Sequence, residues 1–175
     1  MKPEYPFTEE QARKAYEDWG ANCGPNALAV CLGVTLDEIR PAMERVGFAE
    51  RRYTSPTMMQ RAIYHAGGEI TRKTRGTDFA PWSVHGLVRI QWHGPWTAPG
   101  ANPKWAYRQT HWVHSMLWPE GGGTWVFDCN GGWMPVDEWE RTVVPAIVAT
   151  IPRANGEFSS THVWGVSRLQ KPGAN

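Results

Sequence analysis

The stretch that decides the fold is Trp19–Cys31, which reads WGANCGPNALAVC. A turn-prone run over residues 20–22 leads directly into Cys23, and residues 27–30 are apolar on nearly every side of a helix. The sequence therefore predicts a buried helix that begins near Cys23 and stops near Gly33. Pro25 is compatible with this helix, because the backbone N–H that proline lacks would have no partner close to a helix start.

Cys23 is the candidate nucleophile of this stretch. A thiol at a helix N-terminus lies at the positive end of the helix dipole, beside backbone N–H groups that have no partner in the helix. Both effects favour the thiolate, which is the nucleophilic form of cysteine. The alternative is a small buried core residue. Cys31 and Cys129 lack such a context, and we expect them to be structural.

A nucleophilic cysteine needs a histidine to take its proton and a third group to orient that histidine. A buried strand predicted at Thr110–Trp118 carries His111 and His114, and the next predicted strand ends at Asp128, two residues before Asn130. The order along the chain is therefore cysteine, then histidine, then a carboxylate or an amide.

The register of this hairpin decides which histidine can act. A hairpin centred on Gly121 would place His114 opposite Asp128 and His111 nearer to Asn130. Side chains alternate between the faces of a strand, so the two histidines cannot both point at Cys23. A bulge or a longer loop would shift the register and bring His111 to Asp128.

Three motifs together resemble the papain-like cysteine peptidase superfamily. They are Asn22-Cys23-Gly24-Pro25, His111-Trp112-Val113 and Val126-Phe127-Asp128. The likeness is greatest to the compact bacterial and phage members, such as the leader-peptide-cleaving domains of bacteriocin exporters, and its motifs lie within residues 19–130. It implies an α+β fold in which N-terminal helices pack on a small antiparallel sheet, as one domain over residues 1–175.

The resemblance also implies roles for particular residues. Cys23 would be the nucleophile, His111 the general base and acid, and Asp128 the orienting carboxylate. Members of this family usually carry a glutamine before the cysteine, but this chain has Glu17, Asp18 and Trp19 there. We therefore expect the oxyanion donors to be the Cys23 backbone N–H and the Asn22 side chain, with Trp19 beside the substrate.

These roles predict a cysteine hydrolase, either a peptidase or an amidase, that works through an acyl-enzyme. An acyl transferase would use the same triad. A catalytically inactive protein that binds its ligand in a tryptophan-lined groove is the alternative from a different class. The expected partner is a peptide or another amide-containing substrate, which includes proteins, and no cofactor is expected.

A loop rich in proline and glycine precedes the strand of His111. Loops of this length often form lids or binding loops. We predict that its aromatic side chains border the substrate, and the candidates are His93, Trp96, Trp105 and Tyr107. An ordered surface loop held by these aromatics is the alternative.

The composition limits the classes of partner and compartment that we expect. The 175 residues are 41% hydrophobic and 20% charged, with a net charge of +1, so nothing indicates a nucleic-acid or membrane partner. The sequence has no signal-peptide core and no familiar zinc-ligand spacing, and three cysteines do not suggest a disulfide framework. We expect a cytoplasmic protein without a metal.

Local signals predict the other elements. Capping boxes begin helices at Thr8 and Thr35, and Ser55-Pro56 begins a third. Residues 48–54 are predicted to be an exposed connection. A short helix is expected from Val136, ending before Pro145, with a strand over residues 146–151.

Overall fold

A computed structural model describes residues 3–75, 85–106, 108–118 and 122–169. The helices in these ranges are α1 Glu9–Trp19, α2 Cys23–Leu32, α3 Leu36–Arg45, α4 Phe48–Arg51, α5 Pro56–His65, α6 Pro103–Ala106 and α7 Val136–Ala149. The strands are β1 Gly68–Arg75, β2 Gly86–Trp92, β3 Thr110–Leu117, β4 Thr124–Asp128, β5 Gly132–Pro135 and β6 Phe158–Arg168. The predicted α+β class, with N-terminal helices packed on an antiparallel sheet, is confirmed.

The capping residues begin the N-terminal helices as the sequence predicts. Thr8 and Thr35 both form complete capping boxes, and the Ser55 hydroxyl accepts a hydrogen bond from the Met58 amide. Each cap satisfies backbone N–H groups that would otherwise lack a partner. The starts of α1, α3 and α5 are therefore fixed by residues within one helical turn.

One antiparallel sheet runs through the molecule in the order β1-β6-β2-β3-β4-β5. Its central strands are buried on both faces, because neighbouring residues on one strand belong to different cores. Trp112 packs with the helices α1, α2, α3 and α5, while Val113 packs with α7. Successive strand residues point to opposite faces, so the helices form two layers with the sheet between them.

Two local predictions were wrong. Residues 48–54 include the short helix α4, and its first residue, Phe48, is fully buried and packs edge-to-face with Trp19. Helix α7 continues through Pro145 to Ala149, over residues where the sequence predicted a helix end and a strand. Burial of Trp139, Val143 and Val144 against the sheet outweighs the local cost of the proline.

None of the helices within residues 3–75, 85–106, 108–118 and 122–169 is both long enough and apolar enough to cross a bilayer.

Candidate active site

The first element of the site is the N-terminus of α2, which begins at Cys23. The Asn22 side chain caps this helix by accepting a hydrogen bond from the Gly24 amide at 3.3 Å. The Asn22 amide nitrogen donates to the Arg52 carbonyl at 2.9 Å. These contacts hold the loop before Cys23 against the segment that follows α4, and they fix the position of Cys23 at the start of α2.

Gly24 permits a close approach between α2 and the chain before α5. A Cβ atom on Gly24 would lie 2.2 Å from the Thr54 hydroxyl oxygen and 2.7 Å from the Thr54 Cβ. The Thr54 carbonyl accepts a hydrogen bond from the Trp112 indole at 2.8 Å, which ties this segment to β3 next to His111. A larger residue at position 24 would therefore push the Cys23 helix away from β3.

Gly24→Ala tests this close approach. An alanine in an open helix stabilises by about 0.5–1 kcal/mol, but here we expect a loss of about 1–3 kcal/mol because the core must shift. Urea unfolding of Gly24→Ala, Thr54→Gly and the double variant measures the effect. Thr54→Gly removes the clashing atoms, so alanine at position 24 should cost at least about 1 kcal/mol less in that background. Equal costs in both backgrounds would contradict the steric explanation.

The second element is the β3–β4 hairpin, whose register differs by one residue from a hairpin centred on Gly121. Leu117 pairs with Thr124, and His114 therefore lies opposite Phe127 instead of Asp128. The described pairs contain no bulge. A shift of one residue exchanges the two faces of a strand relative to its partner. Asp128 therefore lies on the same face of the hairpin as His111.

His111 and Asp128 form a buried ion pair. The His111 Nε2 atom lies 2.8 Å from Asp128 Oδ2, and the Asp128 side chain is fully buried. Because Nε2 faces the carboxylate, Nδ1 is the ring nitrogen left for the Cys23 thiol, whose pKa this imidazole lowers through its charge and a hydrogen bond. The structure thus brings together Cys23, His111 and Asp128.

Four hydrogen bonds hold the Asp128 carboxylate. Oδ2 accepts from His111 and from the Trp139 indole, each at 2.8 Å. Oδ1 accepts from the Asn130 backbone amide at 2.8 Å and from the Asn130 side chain at 3.0 Å. Asn130, the alternative third member in the sequence, therefore supports Asp128 instead of replacing it. No sequence signal indicated the contact with Trp139. This residue belongs to α7, which follows β5, and only the packing of α7 on the sheet brings it to Asp128.

The charges in the site stabilise a thiolate–imidazolium pair. Burial disfavours the Cys23 thiolate, but the charge and hydrogen bond of His111 and the Trp112 backbone N–H together lower the pKa of Cys23. Burial likewise disfavours the charged imidazole, but Asp128 and Cys23 raise the pKa of His111 to about 10. Burial would raise the pKa of Asp128, and the contacts with His111, Asn130 and Trp139 hold it below its ordinary value.

His114 is a structural residue on the other face of β3. Its Nδ1 donates to the Gly86 carbonyl at 2.7 Å, and its ring packs against Trp133 and His85. Burial, followed by the charge of His85, lowers the pKa of His114 to about 3, so this ring is neutral at physiological pH. Of the two strand histidines, only His111 contacts the thiol.

A cleft of about 910 Å³ opens beside Cys23 and His111. One wall is the N-terminal segment and α1, and the other is the β4–β5 turn. Aromatic residues of both walls line the cleft together with the charged residues Glu9 and Arg13 of α1. The lining residues from these walls include Tyr5, Phe7, Ala12, Tyr16, Phe127, Asn130 and Gly132. The Tyr5 hydroxyl accepts a hydrogen bond from the Trp133 amide at 3.0 Å, which fastens the N-terminal segment to β5.

Several predicted substrate residues do not line this cleft. Trp19 is buried against Phe48. Trp96 donates its indole hydrogen to the Trp92 carbonyl at 2.7 Å, and Trp105 is 53% exposed outside the cleft.

His93 and Tyr107 are the other two loop residues predicted to border the substrate. His93 contacts Ser159 at 2.9 Å outside the cleft, and Tyr107 lies outside the described residues. The sequence offered no local signal for the cleft residues of α1, whose pattern is that of a polar surface helix.

The two predicted oxyanion donors differ in whether they are already hydrogen-bonded. Asn22 borders the cleft, but its side chain already bonds to Gly24 and Arg52. The Cys23 backbone N–H makes no hydrogen bond within the part of the chain that the structure describes. The Cys23 N–H is therefore the available donor at the head of α2.

Comparison with known proteins adds nothing to this geometry. No protein-family model, no curated protein and no solved structure matches the chain.

Proposed function

We propose that the chain is a cysteine hydrolase, a peptidase or amidase, that cleaves an amide or related acyl bond through an acyl-enzyme. The observation that carries this proposal is the contact series from the Cys23 thiol to His111 and on to Asp128, at the edge of an open cleft. Nucleophile, base and orienting group are the three parts that this chemistry requires.

Each residue has a definite step in the proposed reaction. The Cys23 thiolate attacks the carbonyl carbon, and the Cys23 backbone N–H stabilises the oxygen that becomes negative. His111 gives its Nδ1 proton to the leaving amine, which leaves an acyl group on Cys23. His111 then takes a proton from water, the resulting hydroxide attacks the thioester, and the thiolate is released. Asp128 keeps the imidazole in the required tautomer throughout.

The cleft supports a substrate of peptide size. A volume of about 910 Å³ lies at the upper end of the range of small-molecule pockets. Its lining offers aromatic side chains for apolar groups and the charged residues Glu9 and Arg13 for polar groups of such a substrate. Cys23, Cys31 and Cys129 are free thiols, which is the state that a reducing compartment maintains, so we place the enzyme in the cytoplasm.

Acylation by an activated ester tests this proposal without knowledge of the natural substrate. With p-nitrophenyl acetate at pH 6, we expect a burst of p-nitrophenol equal to the enzyme concentration, and peptide mass spectrometry should find the acetyl group on Cys23. Cys23→Ala should abolish the burst, whereas Cys31→Ala, which removes a buried thiol of α2, should retain it. An equal burst in Cys23→Ala, or none in the wild type, would refute the proposal.

The same acyl-enzyme distinguishes hydrolysis from transfer. An acyl transferase would hand the acetyl group to an added amine faster than to water, so glycinamide should then accelerate turnover and yield acetylated glycinamide. A hydrolase should release acetate at a rate that glycinamide leaves unchanged.

A further inference from the structure

Cys129 stands directly beside the triad, although the proposed reaction does not use it. One ligand atom each from His111, Asp128 and Cys129 lie within 4.8 Å of one another. Cys129 is exposed and lines the same cleft as Cys23. The three groups offer an imidazole nitrogen, a carboxylate oxygen and a sulfur, which is a donor set that zinc accepts.

The distances are compatible with a tetrahedral ion. Zinc bonds of about 2.0–2.3 Å place neighbouring ligand atoms roughly 3.3–3.6 Å apart. The 2.8 Å contact between His111 Nε2 and Asp128 Oδ2 would have to open by about 0.5 Å, and the sulfur would have to approach by up to about 1 Å. With Asp128 held in place, the His111 and Cys129 side chains would have to rotate to supply these displacements, and the cleft beside them gives water access to the fourth position.

We propose that His111, Asp128 and Cys129 form a binding site for a zinc-like divalent cation that competes with the catalytic arrangement of His111. The cation replaces the proton on His111 Nε2 and the proton on the Cys129 sulfur, so two protons leave for each ion bound. The Nε2–H that Asp128 accepts in the free protein no longer exists in the occupied site. Occupied protein therefore lacks the hydrogen bond that orients the general base.

The fixed position of Asp128 supports this assignment. Trp139 and Asn130 continue to hold the carboxylate when His111 turns to a cation, since their three hydrogen bonds do not involve the imidazole. The carboxylate thus remains a preformed ligand. That the cation blocks catalysis rests on the proposed function of the triad, whereas the binding itself does not.

Cobalt titration of Cys23→Ala tests the binding separately from the activity. Co²⁺ bound to a thiolate gives an intense near-ultraviolet charge-transfer absorbance, and Cys23→Ala removes the other thiol that contacts His111. We expect this absorbance in Cys23→Ala, its loss when Cys129→Ser is added, and its retention when Cys31→Ala is added instead. Zn²⁺ should displace the Co²⁺ and slow alkylation of Cys129 by iodoacetamide at least tenfold.

Two results would overturn the proposal. If Cys23→Ala gave no charge-transfer absorbance with Co²⁺, or if the absorbance survived the addition of Cys129→Ser, the Cys129 sulfur would not be a ligand of the cation. Alkylation of Cys129 at the same rate with and without Zn²⁺ would show that its sulfur is not a ligand. Neither result bears on acylation of Cys23, so failure here is distinguishable from failure of the proposed function.

Discussion

Replacement of His111 by glutamine is expected to slow alkylation of Cys23 by iodoacetamide at pH 6 on the order of 100-fold. An ordinary thiol, with a pKa of about 8.5, is ionised to less than about 1% at this pH. In the native site, the charge and hydrogen bond of His111 overcome burial and lower the pKa of Cys23. Without the imidazole, burial remains the largest influence, and the thiolate becomes rare.

The pH dependence follows from the two shifted groups. The thiolate forms as pH rises through the lowered pKa of Cys23, and the imidazolium persists until pH passes about 10, the raised pKa of His111. Alkylation of the wild type should therefore become fast at a lower pH than alkylation of an ordinary thiol. In His111→Gln the rate should rise only in the alkaline range where an ordinary or buried thiol ionises.

His114→Gln is the matched control for this experiment. His114 is a second buried histidine of β3, and its contacts are with Gly86, His85 and Trp133. Its replacement should leave the pH profile of Cys23 alkylation unchanged in protein that remains folded by circular dichroism. If His111→Gln kept the wild-type profile, the assignment of His111 as the partner of Cys23 would fail.

Replacement of Asp128 by alanine is expected to reduce the free energy of unfolding by about 3–5 kcal/mol, the range for breaking a buried ion pair. His111 and Trp139 lose their acceptor within the core, and the imidazolium loses its counter-charge. The donors of Asn130 are partly exposed and can turn to water, so they add less. Urea unfolding followed by tryptophan fluorescence measures the loss.

Asp128→Asn separates the charge from the shape. It retains one oxygen acceptor in the same place, and we expect a smaller loss of about 1–3 kcal/mol. It also removes the carboxylate that raises the pKa of His111. The weakened imidazolium outweighs the smaller repulsion that Asp128 exerts on the Cys23 thiolate, so alkylation of Cys23 should move toward alkaline pH. Asp137→Ala, which removes an exposed carboxylate from the first turn of α7, should cost no more than about 1 kcal/mol.

Acid should erase the difference between the wild type and Asp128→Asn. The pKa of Asp128 is held below its ordinary value of 3.8, so its ionised form stabilises the fold above that pH. This contribution is lost as pH falls through the lowered pKa. A stability difference that stayed constant from pH 7 to pH 2 would contradict the role of the Asp128 charge.

The sequence by itself determined the features that depend on neighbours along the chain. Asn22 caps the helix of Cys23, and the two capping boxes and Ser55 begin their helices through contacts one turn away. The pattern of the strand residues predicted β3 to within one residue of its observed end and predicted that β4 ends at Asp128. Such contacts link residues that are close in sequence, so the residue types in one sequence are enough to predict them.

Tertiary structure alone decided which of these residues meet. The pairing of Leu117 with Thr124 placed Asp128 on the face of His111, and no local pattern separated that register from its neighbour. Trp139 reaches Asp128 because α7 packs against the sheet, and its helical pattern alone does not say which strand it covers. The cleft joins Tyr5 to the β4–β5 turn, more than a hundred residues away, and only the packing of the whole chain sets such a contact.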